Sequence, residues 1–352
     1  MLHLVVTKVK DTWRTGRVTS TLFLDIQAAF PNTVKEWLLH NMRSRHVPAQ
    51  YIHLFNTMLT RCKTQLWFDD FLSNPIHIHN GTTQGCPLSM ILYAYHNADL
   101  IDIARGKWEL STEFVDDCAF ITIADTIDDA HTILKDMMER PNGGLEWPQN
   151  YNSPFKLSKL VVMDFARTPW DVASSPLYID KVNPDGTTTP HNIAAINEYK
   201  YLEVMFDPRL NWRAHFSRVV AKAATWTHQL WRLAKVTDRI PPGKAHQLYN
   251  MVAMPAFTYA ADVGYISPFK LAHKRNLLGS VSVTKLLGSI QGKATHFITG
   301  GLNSTTFDVL KAHAHILPVD LLFRKTQTNA VTHICRLPAK HPLSPLARCA
   351  AR

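Results

Sequence analysis

Residues 113–119 read Glu-Phe-Val-Asp-Asp-Cys-Ala, placing two adjacent aspartates between Phe114-Val115 and the apolar run Ala119-Phe120-Ile121. Taking a carboxylate out of water costs several kcal/mol unless a cation or hydrogen-bond donors compensate it. Two readings satisfy that constraint. Asp favours tight turns and tolerates unusual backbone angles, so the pair fits the tip of a hairpin. A divalent cation would instead give both carboxylates a common partner.

The flanking pattern supplies the frame. Val18–Ile26 (VTSTLFLDI) is a β-branched and apolar run that reads as a buried strand ending near Asp25. Leu2, Val5, Val6, Val9 and Trp13 recur at helical spacing before it. Further helices are expected after Pro31-Asn32, over Ala49–Leu59 and over 126–140, and two short strands over 64–79 with a turn near Ser73-Asn74-Pro75. STEFVDDCAFITIA reads as a hairpin and KLSKLVVMDF as a strand, while the proline-rich stretch 168–192 reads as a loop or flexible hairpin. From residue 206 onward the pattern turns helical. Strands joined by hairpins rather than crossovers indicate an α+β fold with an antiparallel sheet flanked by helices.

A chain of 352 residues with 46% apolar side chains is long enough for two or three domains and is not disordered. Lys plus Arg outnumber Asp plus Glu by 38 to 28, a net +10 that suits a polyanionic partner. Cys62, Cys86, Cys118, Cys335 and Cys349 form no paired spacing, which implies reduced thiols. No apolar run is long enough to span a bilayer and the N-terminus has no secretory pattern, so a soluble, intracellular chain without a membrane partner is expected.

Asp25 and the Asp116-Asp117 pair would lie on one sheet, and three carboxylates at one rim repel each other unless a cation lies between them. Hard oxygen donors favour Mg²⁺ or Mn²⁺, and two such ions about 3.5–4 Å apart activate a hydroxyl and stabilise a leaving phosphate oxygen.

FLDIQAAF, NGTTQGCPLS, EFVDD, KLSKLVVMDF and YKYLEVMFD occur in the order of the polymerase motifs of reverse transcriptases. The chain resembles the reverse transcriptases of non-LTR (LINE-type) retrotransposons, and FPNTVKEWLLHNMR and PLSMILYAYHNADL resemble fungal members of that group. The resemblance implies a right-hand polymerase palm with partial fingers over 1–205, a thumb-like helical region over 206–262 and a helical C-terminal extension over 263–352. It implies RNA-directed DNA polymerase activity, with an RNA template, a DNA primer and deoxynucleoside triphosphates as partners and two Mg²⁺ (or Mn²⁺) ions as cofactors.

Residue by residue, the resemblance makes Asp25, Asp116 and Asp117 the catalytic, metal-binding carboxylates, with the Ile26 carbonyl as a further ligand. Phe30 matches the aromatic position that excludes a ribose 2′-hydroxyl. Gln84 and Gly85 match the loop against the nucleotide sugar and template, and Lys159, with Lys156 as its competitor, matches a lysine near the triphosphate. Tyr201, Leu202 and Val204 match the turn that braces the primer. Arg218, Lys222, Arg232 and Lys235 line one face of a basic amphipathic helix and would meet the backbone of the template–primer duplex.

Cys86, Ala28 and Glu203 stand where the family usually carries Ser or Asp, Gly, and Gly respectively. Only 24 residues precede Asp25, so the chain reads as an N-terminally truncated fragment, without most of the fingers and without an upstream endonuclease or downstream RNase H. A catalytically inactive nucleic-acid-binding remnant is the alternative reading; a metal-dependent nuclease explains the carboxylates but not Gln84-Gly85 or Phe30. Nuclear residence follows if the element functions. His77 and His79 share one face of a strand but have no third ligand and read as ordinary strand histidines; His333, Cys335, His341 and Cys349 match no zinc spacing, and Trp13, Trp37, Trp67, Trp226 and Trp231 read as core or rim aromatics.

Overall fold

β-Branched and apolar runs become the strands, here β1 (Val18–Asp25), the two-residue β2 to β5 (Lys63–Thr64, Trp67–Phe68, Phe71–Leu72, Ile76–His77), β6 (Glu109–Phe114), β7 (Asp117–Ala124), β8 (Val161–Phe165), β9 (Leu177–Val182), β10 (Thr188–Ala195), β11 (Tyr199–Tyr201) and β12 (Val204–Phe206). The computed structural model describes residues 1–168, 170–182, 187–234, 240–271, 276–302 and 304–345. Helix and strand mix in an α+β arrangement. The main sheet has the order β6-β7-β1-β8-β10-β9. Every pairing in it is antiparallel except β10 with β8, which run parallel over Ala194–Val161 and Ala195–Val162. The sheet is therefore mixed, not purely antiparallel as the pattern suggested, because the chain makes the β9–β10 hairpin before rejoining β8.

Register assigns the two faces. Asp25, Phe23 and Thr21 of β1 stand opposite Asp117, Ala119 and Ile121 of β7, and alternation puts Leu24, Leu22, Cys118 and Phe120 on the other side. That second face is covered by the helix Ile127–Glu139. Thr126 caps it by accepting from the Asp129 amide, and Asp128 and Asp129 in its first turn suit the positive helix end. Ala130, Leu134, Met137 and Met138 are fully buried, and the last three share a cluster with Leu22, Phe120 and Val162. Leu134, Met137 and Met138 each contribute about 1.5–3 kcal/mol, and Leu134→Ala would cost about 2–5 kcal/mol.

The chain divides into two compact units, one of Met1 and Thr7–Leu202, the other of Leu2–Val6 and Glu203–Arg352. In the second, the helices Arg213–Ala234, Val281–Thr299 and Val319–Cys335 bury Phe216, Val219, Ala223, Leu287, Ala294, Ile298 and Phe323. None of the described helices is long and apolar enough to cross a membrane.

Two sequence expectations shift. The stretch 64–79 folds as two nested pairings, β2 with β5 and β3 with β4, and its tip is Asp69-Asp70 rather than Ser73–Pro75. Trp67 within it is 80% exposed and so is not a core aromatic.

Candidate active site

The decisive geometry is at the end of β1. Asp25 and Asp117 are direct partners in the β1–β7 register, so their side chains share a face. Asp116 precedes Asp117 in the two-residue connection between Phe114 and Asp117, and the Ile26 amide donates to the Asp116 carbonyl at 3.2 Å. Three acidic residues and Ile26 thus meet at one corner of the sheet. Their summed field reaches the neighbours: the Cys118 thiol is pushed up first by burial and then by Glu113, Asp117, Asp116 and Asp25. Tyr199 is pushed up by burial and by Asp117 and Asp25.

Lys159 joins this corner. It ends a short 3₁₀ turn, Leu157–Lys159, and its Nζ donates to Asp25 Oδ2 at 2.8 Å, which holds its ammonium above the usual lysine range. The Lys156 amide donates to the Asp25 carbonyl at 2.9 Å. Among the described residues no group of three or more His, Cys, Asp or Glu side chains is arranged as a metal cage. The donor set of Asp25, Asp116 and Asp117 nonetheless consists of hard oxygens, the class that suits Mg²⁺ or Mn²⁺. Lys159 holds only Oδ2 of Asp25, so a cation at this corner would share the carboxylate with the ammonium or displace it.

A second cluster surrounds Phe30. Ala28 takes the left-handed conformation at φ 51°, which explains why Gly suits that position better. The Gly81 amide donates to Thr33 O and the Thr82 amide to Phe30 O, both at 2.8 Å. A Cβ on Gly81 would lie 2.8 Å from the Pro31 carbonyl, so this junction requires glycine. The loop carrying exposed Gln84 and Gly85 is thereby tied to the Phe30 turn, and the Phe30 ring packs 5.5 Å from Tyr93.

Tyr201 is buried, with its ring 4.9 Å from Phe23, two residues before Asp25. Leu202 and Glu203 both have positive φ, 48° and 62°, at the passage from the first unit to the second, and Val204 is buried after it. Glu203 therefore bears the backbone cost that a Gly would avoid. In the second unit its carboxylate pairs with Arg218 at 3.7 Å. Arg218, Lys222 and Arg232 are all exposed along one stripe of the helix Arg213–Ala234, whereas Lys235 lies outside the described residues.

Charge is divided unequally. Residues 203–352 hold 20 Lys and Arg against 6 Asp and Glu, a net +14, while residues 1–202 hold 18 against 22, a net −4. Sequence reading missed this division, although counting by segment would have found it. It also missed Tyr199, whose ring stacks on Phe23 at 4.5 Å, and Asn97, which bonds the Asp-bearing turn. No pattern in the chain announces either one.

This chain is similar to polymerases of mobile elements. It is 24% identical over 294 residues to the RNA-directed DNA polymerase from mobile element jockey of Drosophila funebris, covering 82% of this chain and 30% of that protein. It is also 24% identical over 305 residues to the probable RNA-directed DNA polymerase from transposon X-element of Drosophila melanogaster, covering 85% of this chain and 30% of the relative. The chain thus spans about 30% of the length of the curated relatives it matches. Both relatives come from Drosophila, and the expected nearness to fungal members finds no support in them. No family model matches. Among solved structures, telomerase of Candida tropicalis in complex with a fragment of telomeric RNA aligns over 98% of this chain and 52% of that one, at 8% identity and a TM-score of 0.42. The apo form of the same telomerase aligns over 88% and 46%, at 11% identity and a TM-score of 0.42.

Proposed function

We propose that the chain is the palm-and-thumb part of an RNA-directed DNA polymerase of a non-LTR retrotransposon, extending a primer 3′-hydroxyl along an RNA template. The observation that carries this reading is the in-register pairing of Asp25 with Asp117, with Asp116 beside them, in the motif order shared with such enzymes. Residues 1–205 would form the palm with partial fingers, 206–262 the thumb and 263–352 a helical extension.

Asp25, Asp116 and Asp117 would hold two Mg²⁺ or Mn²⁺ ions, which lower the cost of forming the nucleophile and of expelling pyrophosphate. The chain's own groups do the positioning. Phe30 presents a flat ring where a ribose 2′-hydroxyl would clash, selecting deoxynucleoside triphosphates. Gln84 both donates and accepts hydrogen bonds beside Gly85, whose backbone leaves room for a close approach. Lys159, on leaving Asp25, has an ammonium free for triphosphate oxygens. Tyr201, Leu202 and Val204 would brace the primer, and Arg218, Lys222, Arg232 and Lys235 would neutralise duplex phosphates. Intracellular residence, in the nucleus if the element functions, belongs to the same proposal.

A second reading, a nucleic-acid-binding remnant without turnover, is favoured by one observation: Glu203 stands at φ 62° in the turn that would brace the primer, where its carboxylate would repel a primer phosphate. Primer extension on an RNA template with Mg²⁺ or Mn²⁺ separates the two. The polymerase reading expects extension, reduced at least about a hundredfold by Asp116→Asn. Salt-sensitive hybrid binding without any extension would establish the remnant instead, and template cleavage without synthesis would point to a nuclease.

A further inference from the structure

Val115 opens the turn that carries Asp116, and it stands at φ 59°. A β-branched residue there is a true outlier and persists only where its surroundings hold it. Asn97 supplies one hold. It is 1% exposed, and its Nδ2 donates to the Val115 carbonyl at 3.0 Å.

Asn97 is itself oriented by its neighbour. The Val34 amide donates to His96 Nε2 at 3.3 Å, so that nitrogen must carry the lone pair. In the neutral ring the proton then lies on Nδ1, which faces Asn97 Oδ1 at 3.4 Å. With Oδ1 accepting, the amide nitrogen of Asn97 points at Val115. A single assignment of protons satisfies all three contacts. His96 is fully buried, and burial brings it down to about 4, so it stays neutral and keeps its Nε2 acceptor. Asn41 anchors the same segment by donating to the His96 carbonyl at 3.1 Å.

We propose that His96 and Asn97 form a buried positioning relay that ties the turn beside Phe30 to the Asp116-Asp117 turn, setting where those carboxylates stand. Val34 follows Thr33, which already receives the Gly81 amide, so the relay links the loop of Gln84 and Gly85 with the acidic corner. The catalytic consequence rests on the polymerase reading; the hydrogen-bonded relay does not. Neither residue would touch substrate.

Amide hydrogen exchange of the full chain, free of metal, nucleotide and template, tests the relay directly. Asn97→Ala should speed exchange over 114–118 about tenfold, the equivalent of one lost hydrogen bond. Asn97→Asp, which faces the carbonyl with a carboxylate oxygen, should speed it further. His96→Phe keeps a ring but removes both nitrogens, and should loosen the turn to a lesser degree. Peptides from β1 and β8 report global loosening, so a variant that merely destabilises the fold is recognised. Unchanged exchange over 114–118 in both Asn97 variants, or a rise no greater than in β1 and β8, would overturn the relay. In extension assays Asn97→Ala should lower kcat about tenfold and leave the KM for hybrid unaltered. An unaltered kcat with a loosened turn would remove its positioning role. A wild-type chain that never extends a primer sinks the polymerase reading alone, and the exchange rates over 114–118 still decide for or against the relay.

Discussion

At the scale of single residues, the carboxylates were legible because an acidic side chain between apolar runs is costly and must be justified. Asp25, Asp116 and Asp117 met that criterion, and the strand and hairpin patterns around them placed them on one sheet, in line with the pairing of β1 with β7. Glu113 met it too and was passed over, because its burden comes from burial by distant segments. Its Oε2 is buried without a hydrogen-bond partner, and burial, with Asp102 and Asp99 adding to it against Arg45, pushes its carboxyl up to about 8 from 4.5. The folded chain therefore keeps a proton that the unfolded chain releases above pH 4.5, so stability falls as pH rises from about 4.5 to about 8. Glu113→Gln should remove that slope. The expected gain at pH 8 is about 1–3 kcal/mol, vanishing near pH 4. Denaturant melts of both chains at the two pH values measure it; an equal difference at both would show that Glu113 does not titrate in this range.

Elements were readable where one periodicity persisted over several residues. The helix Ile127–Glu139 and strand β1 lie within a residue or two of expectation, since each has a long apolar stripe and a clear stop. The stretch 63–77 defeated pattern reading because four two-residue strands leave no period to detect. The parallel join of β10 to β8 was equally invisible, as it is a choice of partner and not of local conformation. The helix Arg213–Ala234 shows both outcomes. Its buried face follows the apolar repeat, while the role of its exposed cations depends on what meets them. Together, Arg218→Gln, Lys222→Gln and Arg232→Gln should leave the melting temperature nearly unchanged, because all three side chains are exposed. Binding of an RNA–DNA hybrid should weaken, and the slope of log affinity against log salt should flatten by about 2–3 if each cation meets one phosphate. An unchanged slope would mean that the stripe is only solvated.

For the whole molecule, the net +10 conceals a division into a unit of net −4 with the acidic corner and a unit of net +14 without it. Like charges on one folded unit repel each other, an expense that a polyanion offsets by taking the place of small counterions. As the proposed polymerase site, the acidic corner would have the opposite requirement: to keep a small cation and not to attract the phosphates by bulk charge. Under the proposed function segregation would meet both needs, with attraction to nucleic acid carried by one unit and chemistry by the other. If this is how the charge is used, hybrid binding should protect lysines unevenly. Lys222, Lys285 and Lys293, exposed on two helices of the second unit, should lose reactivity towards an amine-acetylating reagent when an RNA–DNA hybrid is bound. Lys10 and Lys107, exposed on the first unit, should react as before. Raising salt should restore the reactivity of the first group in step with the loss of binding, since counterion release drives the contact. Equal protection of both groups would show that the hybrid is gripped without regard to this division, and the excess positive charge of residues 203–352 would then need another explanation.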